Sequence, residues 1–63
     1  MDIKVGEYYT LYYNKGNFSN TEFQIRGIVD NEVVVILPKN GWYVTKDRVW
    51  FDMNEDSLTK LRE

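Results

Sequence analysis

The side chains that could carry acid–base or metal chemistry in this 63-residue chain are ten carboxylates, which no histidine or cysteine accompanies. The composition therefore lacks a thiolate or Ser-His nucleophile, zinc-ribbon ligands and a histidine proton shuttle. Asp52, Glu55 and Asp56 lie close together in sequence, but calcium loops are longer and have a glycine at a set position. The carboxylates are expected to be solvated in turns, on polar strand faces and in the C-terminal segment; they are Asp2, Glu7, Glu22, Asp30, Glu32, Asp47, Asp52, Glu55, Asp56 and Glu63. The sequence predicts no enzyme activity, no cofactor and no metal.

Cations interleaved with aromatic residues form a second pattern, which is typical of proteins that bind single-stranded nucleic acid by stacking bases and neutralising phosphates. The residues concerned are Lys15, Lys39, Lys46 and Arg48 with Trp42, Tyr43 and Trp50. The net charge of −2 gives no overall attraction to nucleic acid. The alternative is that Trp42 belongs to the core and that the lysines keep turns soluble. Nucleic-acid binding is therefore the second choice among the functions.

Binding to a protein partner is the favoured prediction, because large rings remain on outward faces of the predicted strands after the core is filled. Tyr, Trp and Arg are the residue types enriched at binding hot spots. Alternatively, these rings cover the open ends of a small barrel or pack against the C-terminal segment. Tyr8 is one of the outward rings, and the candidate partner-binding residues are Tyr12, Tyr43, Arg48 and Trp50.

Length and composition indicate one domain over residues 1–63, since a chain of this size has no room for a second core. Two Trp, five Tyr and three Phe supply the large side chains that so small a core needs. No apolar run approaches the ~20 residues of a membrane span, and Met1 opens onto a polar segment without a signal-peptide pattern. We expect a cytoplasmic protein, monomeric or homodimeric through edge strands. Its size is typical of small regulatory proteins of bacteria and phages.

Alternation of apolar and polar residues predicts strands over residues 7–13 and 21–29, and residues 32–37 are predicted to form a central strand because both of its faces are apolar. Tyr9, Leu11 and Tyr13 are the expected buried set of the first strand, and Phe18 is expected to pin the polar loop that follows. Gly27 interrupts the second strand and predicts a bulge or bend. The pairs Asp30-Asn31 and Asn40-Gly41 are turn signals, because these residues tolerate positive φ.

Residues 41–51 are predicted to form two further strands joined by a tight turn over residues 45–48. Alternation would then place Trp42, Val44, Val49 and Phe51 on the core face. The acids that follow Asn54 and the basic residues near the end predict a short C-terminal helix over residues 55–62, within a tail of residues 53–63. Leu58 and Leu61 would dock this helix, and its removal is expected to leave the sheet folded.

Five strands, one longer loop, two tight hairpins and one helical turn resemble the Src-homology-3-like barrel. In that family a glycine–aromatic–valine–proline segment enters one turn of 3₁₀ helix, and a valine begins the last strand. Residues 43–49 have the same spacing, with Val44 and Val49 at the two core valines. Thr45 stands where the family has its proline, and Arg48 where it has a binding tyrosine.

Residues 11–13 are similar to the family's alanine–leucine–tyrosine opening, and the likeness covers residues 7–53 as architecture. The family's tryptophan pair at the third strand is missing, so the binding of proline-rich peptides is not carried over. The resemblance implies an all-β fold: a small five-stranded barrel, here with a short C-terminal helix. It implies no particular activity, because this fold hosts many.

Overall fold

The computed structural model describes residues 1–12 and 20–63, and in this part of the chain the fold is mostly β. The strands are β1 (Tyr8–Leu11), β2 (Glu22–Val29), β3 (Glu32–Leu37), β4 (Trp42–Asp47) and β5 (Leu58–Arg62). They form one antiparallel sheet in the order β4-β3-β2-β1-β5. A short helix, α1 (Arg48–Met53), and a 3₁₀ turn (Glu55–Ser57) connect β4 to β5. The all-β class is confirmed. The described sheet is open, with β4 and β5 at its edges, so a closed barrel is not shown. Tyr13, Lys15 and Phe18 lie outside the described residues.

The turns predicted at Asp30-Asn31 and Asn40-Gly41 and the interruption at Gly27 are confirmed, whereas the tight turn predicted over residues 45–48 is wrong, because β4 continues to Asp47. Asp30 has a φ of 53° in the two-residue turn between β2 and β3, and Gly41 has a φ of 70° at the end of the turn between β3 and β4. The amide of Gly41 donates to the carbonyl of Leu37 at 2.8 Å, which closes that turn. The β2–β3 register shifts between Ile25 and Gly27, as expected of a bulge.

The core lies on one face of the sheet. Tyr9 and Leu11 of β1 are buried, as predicted. Ile3, in the segment before β1, is buried with them, and the remaining buried apolar side chains are Phe23, Ile25, Val33, Val35, Leu37 and Phe51. A single sheet buries one face only if other elements cover it. Here the residues before β1 and the helix α1 provide that cover.

The prediction of a strand at residues 49–51 is wrong, because β4 continues to Asp47 and α1 follows at once. Asp47 is the N-cap: its Oδ1 accepts a hydrogen bond from the amide of Val49 at 3.0 Å. The helical period rotates adjacent side chains by about 100°, so strand alternation does not apply. Phe51 is 1% exposed, as predicted, but Val49 is 56% exposed, so its assignment to the core is wrong. Trp50, predicted to face outward, packs partly buried against the core.

The C-terminal helix predicted for residues 55–62 is also wrong, since only Glu55–Ser57 is helical and β5 follows. An isolated helix of that length is marginal in water, whereas the edge of β1 offers a full set of backbone partners. Leu58 lies opposite Leu11 and packs against the core. Arg62 donates two hydrogen bonds to the carboxylate of Glu22, at 3.3 and 2.7 Å. Contacts distant in sequence therefore outweigh the local helical pattern.

The placement of α1 predicts opposite effects for two neighbouring substitutions. Phe51→Ala leaves a cavity among buried rings, and we expect it to lower the free energy of unfolding by about 3–5 kcal/mol. Val49→Ala removes an exposed side chain and should change it by about 0.5 kcal/mol or less. Urea unfolding of both variants measures this. A similar large loss from both would mean that residues 49–51 form the strand predicted from the sequence.

The pairing of β5 predicts that the tail is required for folding. Deletion of residues 58–63 exposes the edge of β1 and removes Leu58 from the core, so we expect the truncated chain to lose its cooperative thermal transition. Circular dichroism during heating measures this. Leu61→Ala is a matched control with the tail intact, because Leu61 is 43% exposed. A truncated chain that melts cooperatively near the temperature of the intact one would contradict the role given to β5.

Candidate functional site

Strand β4 forms one edge of the sheet, and β3 is its sheet neighbour among the described residues. The amide of Arg48 donates to the carbonyl of Asn31 at 2.7 Å, at the end of the β3–β4 ladder. In an antiparallel ladder, residues that bond to the neighbouring strand alternate with residues that do not. Three residues of β4 therefore direct their N–H and C=O groups away from β3: Tyr43, Thr45 and Asp47.

The side chains of β4 alternate between the two faces of the sheet. Trp42, Val44 and Lys46 lie opposite the buried residues Leu37, Val35 and Val33, which places them on the core face. Trp42 is nevertheless 65% exposed. It stands at the opposite end of β4 from α1, about 16 Å away along the strand at 3.3 Å per residue. The cover supplied by α1 therefore leaves this end of the core face open.

A groove lies beside the exposed ring of Trp42. Its volume is about 400 Å³, and we call it the Trp42 groove; the residues that line it are Thr21, Leu37, Lys39, Asn40, Trp42 and Val44. Oδ1 of Asn40 accepts a hydrogen bond from the amide of Trp42 at 3.2 Å, which ties the turn to the start of β4. The groove thus combines an indole ring and two aliphatic side chains with one lysine at its rim.

The other end of β4 is closed by Trp50 of α1. Its ring lies edge-on to Phe51, with centroids 5.0 Å apart, and to Phe23, with centroids 6.2 Å apart. Nζ of Lys46 lies 4.9 Å from the centroid of the Trp50 ring, a cation–π distance. Trp50 is therefore engaged on two sides within the chain and offers less surface than Trp42.

The structure places the four candidate partner-binding residues at different locations. Tyr43 is 56% exposed and lies on the outer face, opposite Ile36. Trp50 belongs to the core side, and Arg48 begins α1, where its side chain donates to the carbonyl of Asp30 at 3.4 Å. Tyr12 is exposed beyond the end of β1, and β2 and β3 separate β1 from β4 in the sheet. Tyr43 and Trp50 thus face opposite sides of the sheet.

Trp42 is the residue that sequence reasoning missed. Alternation correctly put it on the same face as Val44, but alternation does not show where the cover of that face ends. The Asn40-Gly41 turn immediately before it was the available signal, because a residue next to a turn lies at the end of the sheet. With Tyr43 exposed on the opposite face, two aromatic rings flank the start of the open edge.

On the outer face, arginines lie over the tyrosines. Cζ of Arg62 is 4.1 Å from the centroid of the Tyr8 ring, and Cζ of Arg26 is 5.9 Å from that of Tyr43. Arg62 is held in place because its guanidinium also binds Glu22. A base that stacked on Tyr8 would have to displace Arg62. This arrangement does not favour the outer face as a platform for nucleic acid.

The buried carboxylate of Glu7 has a partner within the chain at each of its two oxygens. Oε1 accepts hydrogen bonds from the amide of Lys4 at 2.8 Å and from the hydroxyl of Tyr9 at 2.9 Å, and Oε2 lies 3.0 Å from Nζ of Lys60. Burial alone would raise the pKa of Glu7, but the bonds from Lys60, Lys4 and Tyr9 together lower it below its ordinary value. Burial, and then the bond to Glu7, raise the pKa of Tyr9 to about 12. Lys60 belongs to β5, so Glu7 and its three partners, which we call the Glu7 cluster, hold β5 in place. A pocket of about 240 Å³ adjoins Glu7, but both carboxylate oxygens already have partners within the chain.

Two of the carboxylates considered for a cation site have another role. Oδ1 of Asp52 accepts from the amino group of Met1 at 2.7 Å, and Glu55 lies 3.7 Å from the same group. Within residues 1–12 and 20–63, no three acidic side chains are grouped so that they could hold a metal ion. In that same part of the chain, no helix is both long enough and apolar enough to cross a membrane.

The Glu7 cluster predicts a pH dependence. Because the pKa of Glu7 is lowered on folding, its contribution to stability is present above its ordinary value of 4.5 and is lost as the pH falls through the lower folded value. We expect Glu7→Gln to be less stable than the unsubstituted protein at pH 7, with a smaller loss of stability between about pH 6 and pH 3. Urea unfolding across this range measures both. Glu32→Gln, at an exposed position, is the control; if Glu7→Gln keeps the full acid loss, the cluster does not cause it.

Comparison with known proteins returns no match for this chain. No family model matches it, and neither a curated protein nor a solved structure matches it either. The open edge of β4 and the Trp42 groove are therefore the features of the described residues that bear on function.

Proposed function

We propose that this chain is a non-enzymatic binding protein that recognises another protein through the aromatic surface at the open edge of β4. The surface consists of the Trp42 groove on the core face and Tyr43 on the outer face. Of the four candidates named from the sequence, Tyr43 lies in it. Tyr12, Arg48 and Trp50 stay candidates for contacts at its periphery or elsewhere.

The observation that carries the proposal is the exposure of Trp42 beside an apolar groove. A tryptophan exposes apolar area that is costly to leave in water, and tryptophan dominates many protein interfaces. Leu37 and Val44 provide the groove with an apolar floor, and Lys39 provides a charge at its rim. Apolar surface with a polar rim is the usual composition of a protein-binding site.

Nucleic-acid binding is the second candidate, supported by the lysines beside aromatic rings. A cation of the chain already lies over each of the Trp50, Tyr8 and Tyr43 rings, so a base that stacked on one of these rings would have to displace it. The net charge of −2 adds a general repulsion of phosphate. These features favour a protein over a nucleic acid.

We also retain the Src-homology-3-like barrel as the proposal for the fold. The support is the order of elements: four successive antiparallel strands, a helical connection, and a fifth strand that returns to β1. The helical connection covers residues 48–57 here, later than the likeness at residues 43–49 implied, so Leu58 and not Val49 begins the last strand. We further propose that the chain is a small cytoplasmic regulatory protein of bacteria or phages, monomeric or homodimeric.

The proposal predicts that a partner is lost when Trp42 is truncated. Trp42→Ala removes a hot-spot ring and should weaken binding by about 2 kcal/mol or more, with little effect on folding because the ring is exposed. The measurement is affinity capture from the native host with tagged protein, with and without nuclease, followed by a titration of the captured partner against each variant. Val29→Ala, at an exposed position at the end of β2, is the matched control and should bind normally.

Labelled single-stranded and duplex oligonucleotides, titrated at low and moderate salt, test the second candidate. Binding through phosphates would fall steeply as salt rises, and Lys39→Glu and Lys46→Glu would weaken it as much as loss of a ring. Tight, steeply salt-dependent binding of this kind would overturn the protein-partner proposal. A partner that is still captured after nuclease treatment, and is lost with Trp42→Ala, would support the protein-partner proposal.

A further inference from the structure

We propose that the partner binds as an extended segment that adds a sixth strand to the sheet at the outward side of β4. This inference rests on the proposed function and specifies its mode. The added strand would carry an apolar side chain opposite Trp42, a second opposite Val44, and an acidic side chain opposite Lys46.

The backbone of β4 supplies the first argument. Tyr43, Thr45 and Asp47 direct N–H and C=O groups to the outward side, as the β3–β4 register requires. Strand addition at an exposed sheet edge uses such groups for affinity and uses alternate side chains for selectivity. β4 has six residues and contains no proline, so nothing in its backbone blocks a ladder along its length.

The side chains of β4 supply the second argument. Residues directly opposite each other across an antiparallel pair have Cβ atoms about 4.5–5.5 Å apart and interact in pairs. Trp42 and Val44 favour apolar partners next to the Trp42 groove. Lys46 lies on the same face against the Trp50 ring and keeps its charge there; with Lys39 in the adjoining turn it makes this side of the edge positive, which favours an acidic segment.

The same charges argue against a second copy of this chain as the occupant. In self-pairing centred on Val44, Lys46 would lie opposite Trp42 of the other copy and not opposite an acid. The core-face residues of β4 include a lysine and no acid, so a second copy cannot supply the carboxylate. A separate segment with alternating apolar and acidic side chains fits this edge better.

The test uses a library of random nine-residue peptides displayed on phage and selected against the purified chain. We expect selected sequences with apolar, apolar and acidic residues at alternate positions, in either direction along the peptide. Selection against Lys46→Glu should replace the acid by a basic residue. No enrichment, or enriched peptides without alternation, would overturn the inference.

A synthetic copy of a selected peptide then tests the backbone contacts. Thr45→Pro removes an outward N–H and should weaken peptide binding roughly tenfold or more, whereas Thr45→Val keeps the N–H and should bind normally. Amide exchange measured by NMR on the unsubstituted chain gives the same test if Thr45→Pro folds poorly: the peptide should slow exchange at Tyr43, Thr45 and Asp47. Unchanged exchange at these amides would overturn strand addition.

Two further outcomes separate this inference from its alternatives. If the captured partner is lost with Trp42→Ala but retained with Thr45→Pro, the proposed function holds and strand addition is wrong. If sedimentation shows a dimer that Thr45→Pro converts to a monomer, the occupant of the edge is a second copy, and the inference of a separate partner is overturned.

Discussion

The packing of Phe23 against three other rings of the described residues is the interaction on which the rest of the structure depends. Its centroid lies 6.2 Å from Tyr9, 6.2 Å from Trp50 and 6.3 Å from Phe51, so it joins β1, β2 and α1. A single sheet of this size has no second sheet to cover its apolar face, and aromatic rings are the largest side chains available to fill the space. Because α1 has six residues, the cover ends before the start of β4. The exposure of Trp42 follows from the limited length of this cover.

Charge in this small protein serves mainly to position the last strand. The buried Glu7, directly before β1, forms an ion pair with Lys60, and Glu22 of β2 forms one with Arg62, so two ion pairs join β5 to the segment before β1 and to β2. Isolated exposed pairs contribute little to stability, but a carboxylate that is buried with hydrogen bonds to each oxygen is costly to leave without its partner. These ion pairs specify the register of β5, although its own sequence has the pattern of a helix C-terminus. β5 thereby forms one edge of the described sheet, and β4 forms the other.

The sequence was informative where local patterns decide structure and failed where distant contacts do. Period-two alternation, the apolar run of β3 and the residues at Asp30 and Gly41 correctly predicted β2, β3, the described part of β1, the start of β4 and both hairpins. After Asp47 the same alternation was misleading, because an N-cap residue began a helix within a run of strand-forming residues. In the tail, backbone pairing of β5 with the edge of β1 outweighed the helical sequence pattern. For the candidate site, Tyr43 was identified as exposed from alternation alone, whereas the exposure of Trp42 depends on where α1 ends, which no local pattern contains.

If a partner adds a strand to the sheet at β4, the outward side of β4 must be an open backbone surface in the free chain. Hydrogen–deuterium exchange of the individual amides of β4 in the free chain tests it most directly, because exchange reports which N–H groups lack a protein acceptor. We expect rapid exchange at Tyr43, Thr45 and Asp47 and slow exchange at Val44 and Lys46, which bond to β3. Equal protection of all five amides in the free monomer would contradict it, since the edge would then already be occupied.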